Sequence, residues 1–270
     1  MGSTVELPLW FVVLAGILAA AGLFDRLLNP AFQWYLRSRA NRAIEELNSR
    51  LRLKIRPFKM TTRQVLIDRL ANDPQVVAAA EEHARETGMP VAAALADADR
   101  YAREIVPAFS AYTYFTIGAR LARWVSTSLY RVRLAFTDRG LLEKLDTDAT
   151  VVFVMNHRSN MDYILVTYMA STATALSYAV GEWARIPVLQ MLIRSMGAYF
   201  IRRSSRSGLY RKVLARYVQM ATQAGVTQAM FPEGGLSRDG KLRPVKLGLI
   251  SYIVEGFDPA GRDVLFIPVG

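Results

Sequence analysis

From Asp148 onward the chain alternates between short apolar runs rich in β-branched residues and longer segments with helical spacing. Thr150–Met155 is a near-continuous apolar run, the texture of a strand buried on both faces. A helix is expected to begin at Asn160–Asp162 and to run to about Ala170. Ala175–Val180 follows as a strand, Val188–Ser195 as a helix and Ala198–Ile201 as a strand. Ser207–Ala224 reads as an amphipathic helix closed by Gly225. Strands at Thr227–Phe231 and Val264–Val269 complete the set, with a helix near Leu247–Val254 between them. This alternation predicts an α/β layered domain over 137–270, with a mostly parallel sheet flanked by helices.

Upstream, residues 60–135 carry helical patterning. Asp73-Pro74 supplies an N-cap and a proline in the first turn, opening a helix over Gln75–Glu86 that Gly88 closes. Pro90 opens Val91–Ile105, and Pro107 marks a break. His83 lies on a polar, acid-rich helix and reads as a solvated histidine. Over Phe109–Phe136 the aromatics Phe109, Tyr112, Tyr114, Phe115, Trp124 and Tyr130 are interleaved with Arg120, Arg123, Arg131 and Arg133. Such a segment either sits at a membrane interface or packs as an aromatic helix into a core.

The first residues pose a membrane question. Leu7–Phe24 is an 18-residue run without a charge, bounded by Glu6 and Asp25. It meets the lower limit for crossing a bilayer, roughly 17–25 residues. The basic start of a cleaved signal peptide is missing from Met1–Glu6. An N-terminal membrane helix over 1–25 is the expectation; a buried helix of a soluble fold is the alternative. Ten basic residues against two acids, Glu45 and Glu46, follow between Arg26 and Arg63. Basic flanks stay on the cytoplasmic side, and each cation near the surface adds about 1 kcal/mol of attraction to anionic headgroups. A solvated charged helix is the plainer reading of Arg37–Arg52. The organisation expected is thus an anchor (1–25), a basic linker and helical region (26–136) and an α/β domain (137–270).

Composition narrows the chemistry. Apolar residues make up 52% and charged ones 21%, which excludes a disordered chain. With no cysteine, disulfides, thiolate nucleophiles, Fe–S clusters and cysteine-ligated zinc are excluded. His83 and His157 are the only histidines, so a multi-histidine metal centre is excluded as well. The net charge of +11 predicts polyanionic company: nucleic acid, anionic lipid, or phosphorylated and CoA-type ligands.

Four short blocks carry candidate chemistry. In Asn156–Asp162 an apolar strand runs out into a helix, the edge where open α/β sheets bind ligands. Five steps on an ideal helix would set His157 and Asp162 about 140° apart. They can meet only if His157 belongs to the loop and Asp162 to the first turn. The carboxylate would then hold one ring nitrogen as an N–H donor and leave the other as a base. That is the base–orienter half of a triad, without a protein nucleophile. Ser159 lacks the G-x-S-x-G elbow of a nucleophile; a helix cap beside a coincidental histidine is the plain alternative. In Gly197–Arg203 a strand delivers Arg202 and Arg203 to its carboxyl end, and Arg206, Arg211, Lys212 and Arg216 follow with no acid before Glu233. Guanidinium forks match phosphate geometry, while solvated helix charge is the default for Arg211, Lys212 and Arg216. Phe231–Lys241 is a strand emptying into a loop with three glycines, whose backbone can approach an anion closely. It is not a Walker loop, and a Gly/Asp turn is the bland alternative. Ile267-Pro268-Val269 ends the final strand where the chain stops, so the domain is expected to be truncated at its C-terminus.

Taken in order, these blocks resemble those of the membrane-associated glycerolipid acyltransferases, in particular the bacterial and mitochondrial glycerol-3-phosphate 1-O-acyltransferases. That family carries H-x-x-x-x-D in an HRSxxDY context, then G-x-x-F-I-R-R, then F-x-E-G with S-R-x-G-K, then I-P-V. Here these are His157–Asp162 with Tyr163, Gly197–Arg203, Phe231–Lys241 and Ile267–Val269. The resemblance covers Val151 to the end. One departure is Leu236, where the family usually has Arg before Ser-Arg; any phosphate-holding duty of that Arg would shift to Arg238, Lys241 or Arg202.

The resemblance implies transfer of a fatty acyl group from acyl-CoA or acyl carrier protein to the sn-1 hydroxyl of glycerol 3-phosphate, the first step of phospholipid synthesis. His157 would be the general base and Asp162 its orienter. Arg158, Arg202, Arg203, Glu233, Gly234, Ser237, Arg238 and Lys241 would bind substrate, and N–H groups of the helix after His157 would stabilise the oxyanion. No metal or cofactor is implied. Membrane lipids are the implied partners, at the inner membrane with the catalytic domain on the cytoplasmic side. The alternatives are a lysophosphatidate acyltransferase, which shares the chemistry, and a non-catalytic acyl-lipid- or CoA-binding relative. A nucleic-acid partner rests on charge alone, without a recognition motif, and is not expected.

Overall fold

A computed structural model describes residues 44–132, 146–181, 187–202, 207–237 and 241–270, together with 8, 10, 42, 205 and 239. The expected anchor over 1–25 lies almost wholly outside these residues. Among the described residues, no helix is long and apolar enough to cross a membrane. The chain divides into two compact units, Met1–Arg50 and Leu51–Gly270. In the first, residues 44–50 are helical and Arg50 pairs with Glu46 one turn away (2.6 Å).

The second unit is built on five parallel strands: β1 (Thr150–Met155), β2 (Ser177–Val180), β3 (Tyr199–Phe200), β4 (Gln228–Met230) and β5 (Val264–Val269). Their spatial order is β3-β2-β4-β1-β5, so β4 is inserted between the first two strands made. Val152 pairs with Gln228 and Val154 with Met230 across β1 and β4. Because all strands run the same way, the loops after β1, β2, β3 and β4 leave from one edge. The α/β class and parallel sheet follow the hydrophobic pattern.

The strand expected from Ala175 begins two residues later, at Ser177. Side chains take the intervening backbone groups that a neighbouring strand would otherwise pair. Lys59 Nζ donates to the Ala175 carbonyl (2.7 Å), and the Leu176 N–H donates to the Tyr114 hydroxyl (3.2 Å). Lys59 belongs to the short helix α1 (Pro57–Met60). Its ammonium lies 4.6 Å from the centre of the Phe109 ring, and burial pushes its pKa well below the ordinary lysine value.

Helices cover both faces of the sheet. On one side, α2 (Arg63–Ala71), α3 (Pro74–Thr87), α4 (Val91–Ile105) and the long α8 (Gly208–Gln223) share a core with Val152, Tyr199 and Met230. Small residues at helical spacing, Ala80 and Ala84 on α3 and Ala94, Ala98 and Ala102 on α4, are buried in it and let these helices approach closely. Asp73 caps α3, its Oδ1 accepting the Gln75 N–H (3.0 Å), and Gly88 ends that helix in the left-handed conformation at φ 70°. The other carboxylate oxygen of Asp73 pairs with Arg216 on α8 (2.8 Å), so Arg216 is not the solvated charge expected of it. His83 is half-buried rather than fully solvated.

The opposite face carries α6 (Met161–Ala170), whose Tyr163 and Val166 pack on Tyr178, Phe200 and Ala229. Against α6 lies α5 (Ala119–Leu129), preceded by a wide-turn π-helix at Thr113–Gly118. The aromatic segment therefore divides between the two readings of it. Tyr114 is fully buried, whereas Tyr112 and Trp124 are 72% and 66% exposed. The remaining helices are α7 (Pro187–Ser195) and α9 (Gly248–Glu255), the latter on the α8 side.

Candidate active site

β1 ends at Met155, and its last side chains fill the core on both faces, so Asn156 onward must leave the sheet. The chain turns through Arg158–Asn160 and enters α6, which puts His157 in the loop and Asp162 in the first turn. The two side chains meet: His157 Nδ1 lies 3.1 Å from Asp162 Oδ2. The same oxygen accepts the backbone N–H groups of Arg158 (2.7 Å) and Ser159 (2.9 Å). A carboxylate oxygen only accepts, so Nδ1 carries the proton and Nε2 carries the lone pair. Three donors on one oxygen also fix the carboxylate in place, which fixes the ring.

The imidazole is 1% exposed. It stacks at 4.4 Å on Phe231, and Tyr163 meets it edge-on at 5.1 Å. Phe231 comes from the loop after β4, which is adjacent to β1, and the Ser237 N–H donates to the His157 carbonyl (2.8 Å). Sheet order thus joins two blocks that are far apart in sequence. Of the N–H groups around the start of α6, four are already engaged. The N–H groups of Arg158 and Ser159 serve Asp162, that of Met161 serves Ser159 Oγ, and that of Asp162 serves the Ser159 carbonyl.

In front of His157 lies a cavity of about 230 Å³. Of the residues expected to bind substrate, Arg202 and Gly234 line it. Gly234 takes φ +62°, and a Cβ there would meet the Lys246 side chain at 3.0 Å, so the loop needs glycine. Glu233 and Ser237 are buried beside the cavity rather than lining it. Glu233 Oε2 and Ser237 Oγ have no hydrogen-bond partner among the described residues. The side chains of Arg158 and Lys241 are exposed and stand off the cavity wall. Arg203 and Arg238 lie outside the described residues. Leu236, at the departure from the family pattern, is half-buried.

Arg202 is not a vacant fork. Glu104 on α4 takes it in two-toothed fashion, with Nε 2.9 and 3.1 Å from the two carboxylate oxygens and Nη2 2.5 Å from one of them. Its guanidinium also lies over the rings of Tyr101 (5.3 Å) and Tyr210 (5.4 Å). Its hydrogen bonds to the Glu104 carboxylate raise the pKa of Arg202 above its already high ordinary value. Two further cations, Arg211 and Lys246, line the cavity instead. Arg211 sits where helical periodicity suggests a solvated face, and Lys246 lies in a stretch with no periodicity at all.

A buried imidazole oriented by a carboxylate, facing a cation-lined cavity, suits proton removal from a bound hydroxyl. Residues 135–270 match the family model described as Acyltransferase, and the chain belongs to that family. It is similar to the glycerol-3-phosphate acyltransferase of Xanthomonas campestris pv. campestris, at 34% identity over 78% of this chain and 24% of that protein. To the glycerol-3-phosphate acyltransferase of Aeromonas hydrophila subsp. hydrophila it is 29% identical, over 82% of this chain and 28% of the relative. The chain thus spans about a quarter of the length of these relatives. Among solved structures, the 1-acyl-sn-glycerophosphate acyltransferase of Thermotoga maritima matches with a TM-score of 0.39 and 22% identity, over 60% of this chain and 56% of that one.

Proposed function

We propose that the protein transfers a fatty acyl group from the thioester of acyl-CoA or acyl carrier protein to the sn-1 hydroxyl of glycerol 3-phosphate. The observation that carries this reading is the His157–Asp162 pair at the wall of a cationic cavity. His157 Nε2 takes the hydroxyl proton as the oxygen attacks the thioester carbonyl. Asp162 holds the tautomer and stabilises the imidazolium, and the proton passes to the departing thiolate. A base of this kind contributes about 10²–10⁴-fold, and alignment of hydroxyl and carbonyl contributes up to about 7–11 kcal/mol of barrier. The thioester is already activated, so this chemistry calls on no metal or prosthetic group. A volume of about 230 Å³ suits a three-carbon phosphomonoester and is below the roughly 300–1,000 Å³ that encloses drug-sized ligands. A lysophospholipid acceptor would need its chain to lie outside.

Acyl donors and products are amphiphiles, and the reading includes a membrane surface on the cytoplasmic side of the inner membrane. Support comes from the exposed side chains Tyr112, Trp124, Leu129 and Tyr130, set among the exposed Arg120, Arg123 and Arg131. No acid occurs between Val106 and Val132.

Thiol release from acyl-CoA and from acyl carrier protein, with glycerol 3-phosphate and lysophosphatidate compared as acceptors, tests the reading. Turnover should depend on glycerol 3-phosphate and disappear in His157→Ala. Undiminished turnover in that variant removes the mechanism, and preference for lysophosphatidate removes the acceptor.

A further inference from the structure

The cavity wall holds three cations, Arg202, Arg211 and Lys246, and among the described residues no carboxylate lines it. That is a site for an anion, and the three cations are not equivalent. Arg202 is neutralised by the Glu104 fork and rests against a pair of tyrosine rings, so its donors are already directed at a carboxylate. Neither Arg211 nor Lys246 has an ion-pair partner among the described residues.

Both remaining residues are exposed, and the backbone brings them to the wall without a counter-charge. The Lys246 N–H donates to the Pro232 carbonyl (2.7 Å), bringing the chain back alongside the loop after β4. Its aliphatic stem then crosses Gly234, close enough that a Cβ there would stand 3.0 Å from its Cδ. Arg211 projects from the first turn of α8, a helix capped by Ser207, whose Oγ accepts the Tyr210 N–H (3.2 Å). Its charge lies near the Tyr252 hydroxyl, another part of the wall, where it opposes the rise in pKa that burial imposes. The amino end of α8 adds a favourable field for an anion there.

We infer that the phosphate of the acceptor is received by Arg211 and Lys246, and that Arg202, neutralised by Glu104, is a fixed wall of the site rather than a phosphate ligand. This rests on the acyl-acceptor reading above and specifies its substrate contacts. The flexible lysine and the arginine fork reach the phosphomonoester from two sides and leave its three-carbon body directed toward His157.

The test separates binding from turnover. Glycerol 3-phosphate is titrated calorimetrically into the full chain without acyl donor, and KM and kcat are measured with acyl-CoA. Lys246→Met and Arg211→Gln should each weaken binding and raise KM for glycerol 3-phosphate about tenfold or more. The acyl-CoA KM should stay unchanged. Lys246→Arg should restore most of the affinity, and the exposed neighbour Lys212→Gln should leave it intact. Inorganic phosphate should compete, whereas glycerol should not. Wild-type affinity in both neutralised variants overturns the inference, as does an effect on kcat with KM unmoved or a wild-type chain that binds no glycerol 3-phosphate at millimolar concentration. A chain that binds with this residue dependence but releases no thiol keeps the anion site and removes the acyl-transfer reading. Turnover with KM indifferent to both variants does the reverse.

Discussion

Lys59 illustrates how a single side chain can be decisive without touching the site. Its ammonium is enclosed by Phe109, Tyr114 and the Ala175 carbonyl, and burial lowers its pKa well below 10.5. Between that lowered value and 10.5, the unfolded chain binds a proton that the folded chain has released, so stability rises with pH across the window. Below the folded value both states are protonated and the slope vanishes. Each full proton of difference is worth about 1.4 kcal/mol per pH unit. Denaturant midpoints measured through the alkaline range should climb in the wild type and flatten in Lys59→Met. Parallel profiles would mean that the lysine keeps its ordinary pKa. Nothing in the chain marks Lys59 out, because it is one of ten cations between Arg26 and Arg63 and its enclosure depends on residues at least fifty positions away. The His157–Asp162 pair is the opposite case. Its partners are five positions apart, and the strand-to-helix transition that brings them together is visible as a change of hydrophobic period.

Among the elements, α3 and α8 are joined through Asp73, which caps one and pairs with Arg216 of the other. The cap was legible as Asp-Pro before an apolar helical pattern. The ion pair was not, since it links residues that only the folded helical layer brings side by side. Asp73→Ala removes both and leaves a largely buried guanidinium unpaired, at a cost of about 3 kcal/mol. Asp73→Asn retains a capping oxygen and should lose only about 2 kcal/mol of this. Equal thermal shifts for the two variants would show that the cap carries nothing. Strand placement was recoverable from runs of β-branched residues, but the insertion of β4 between β1 and β2 was not, because hydrophobic pattern carries no information on lateral order. For the same reason Lys246 escaped notice: its position follows from a hydrogen bond to Pro232, not from any spacing.

Across the whole unit, the aromatic and basic surface around α5 lies on the α6 side of the sheet, while Glu104 and Arg202 meet on the α4 side. A lipid surface at α5 would leave the helical layer of α2, α3 and α4 facing water. Flotation with vesicles containing anionic lipid should carry the protein upward, and the double substitution Trp124→Ser with Leu129→Ser should reduce the bound fraction about tenfold. Added salt should weaken binding through the arginines. Equal flotation of wild type and variant would dismiss this face as the membrane contact. Neither composition nor pattern could decide between interface and core for this segment. Tyr114 and Trp124 belong to the same aromatic run, and only the packing of Tyr114 against Phe109 and Phe115 sets them apart.

The position of β4 has a consequence for biosynthesis. β1 and its loop leave the ribosome well before Gln228–Phe231, the segment that fills the gap beside β1 and supplies the aromatic floor under His157. Until that late segment arrives, the imidazole has no stacked ring, and the His157 carbonyl lacks the Ser237 donor. A partly translated chain therefore carries the His157–Asp162 pair without its aromatic floor, and the enclosure is built in stages, with the wall residues Lys246 and Tyr252 and the edge strand β5 arriving later still.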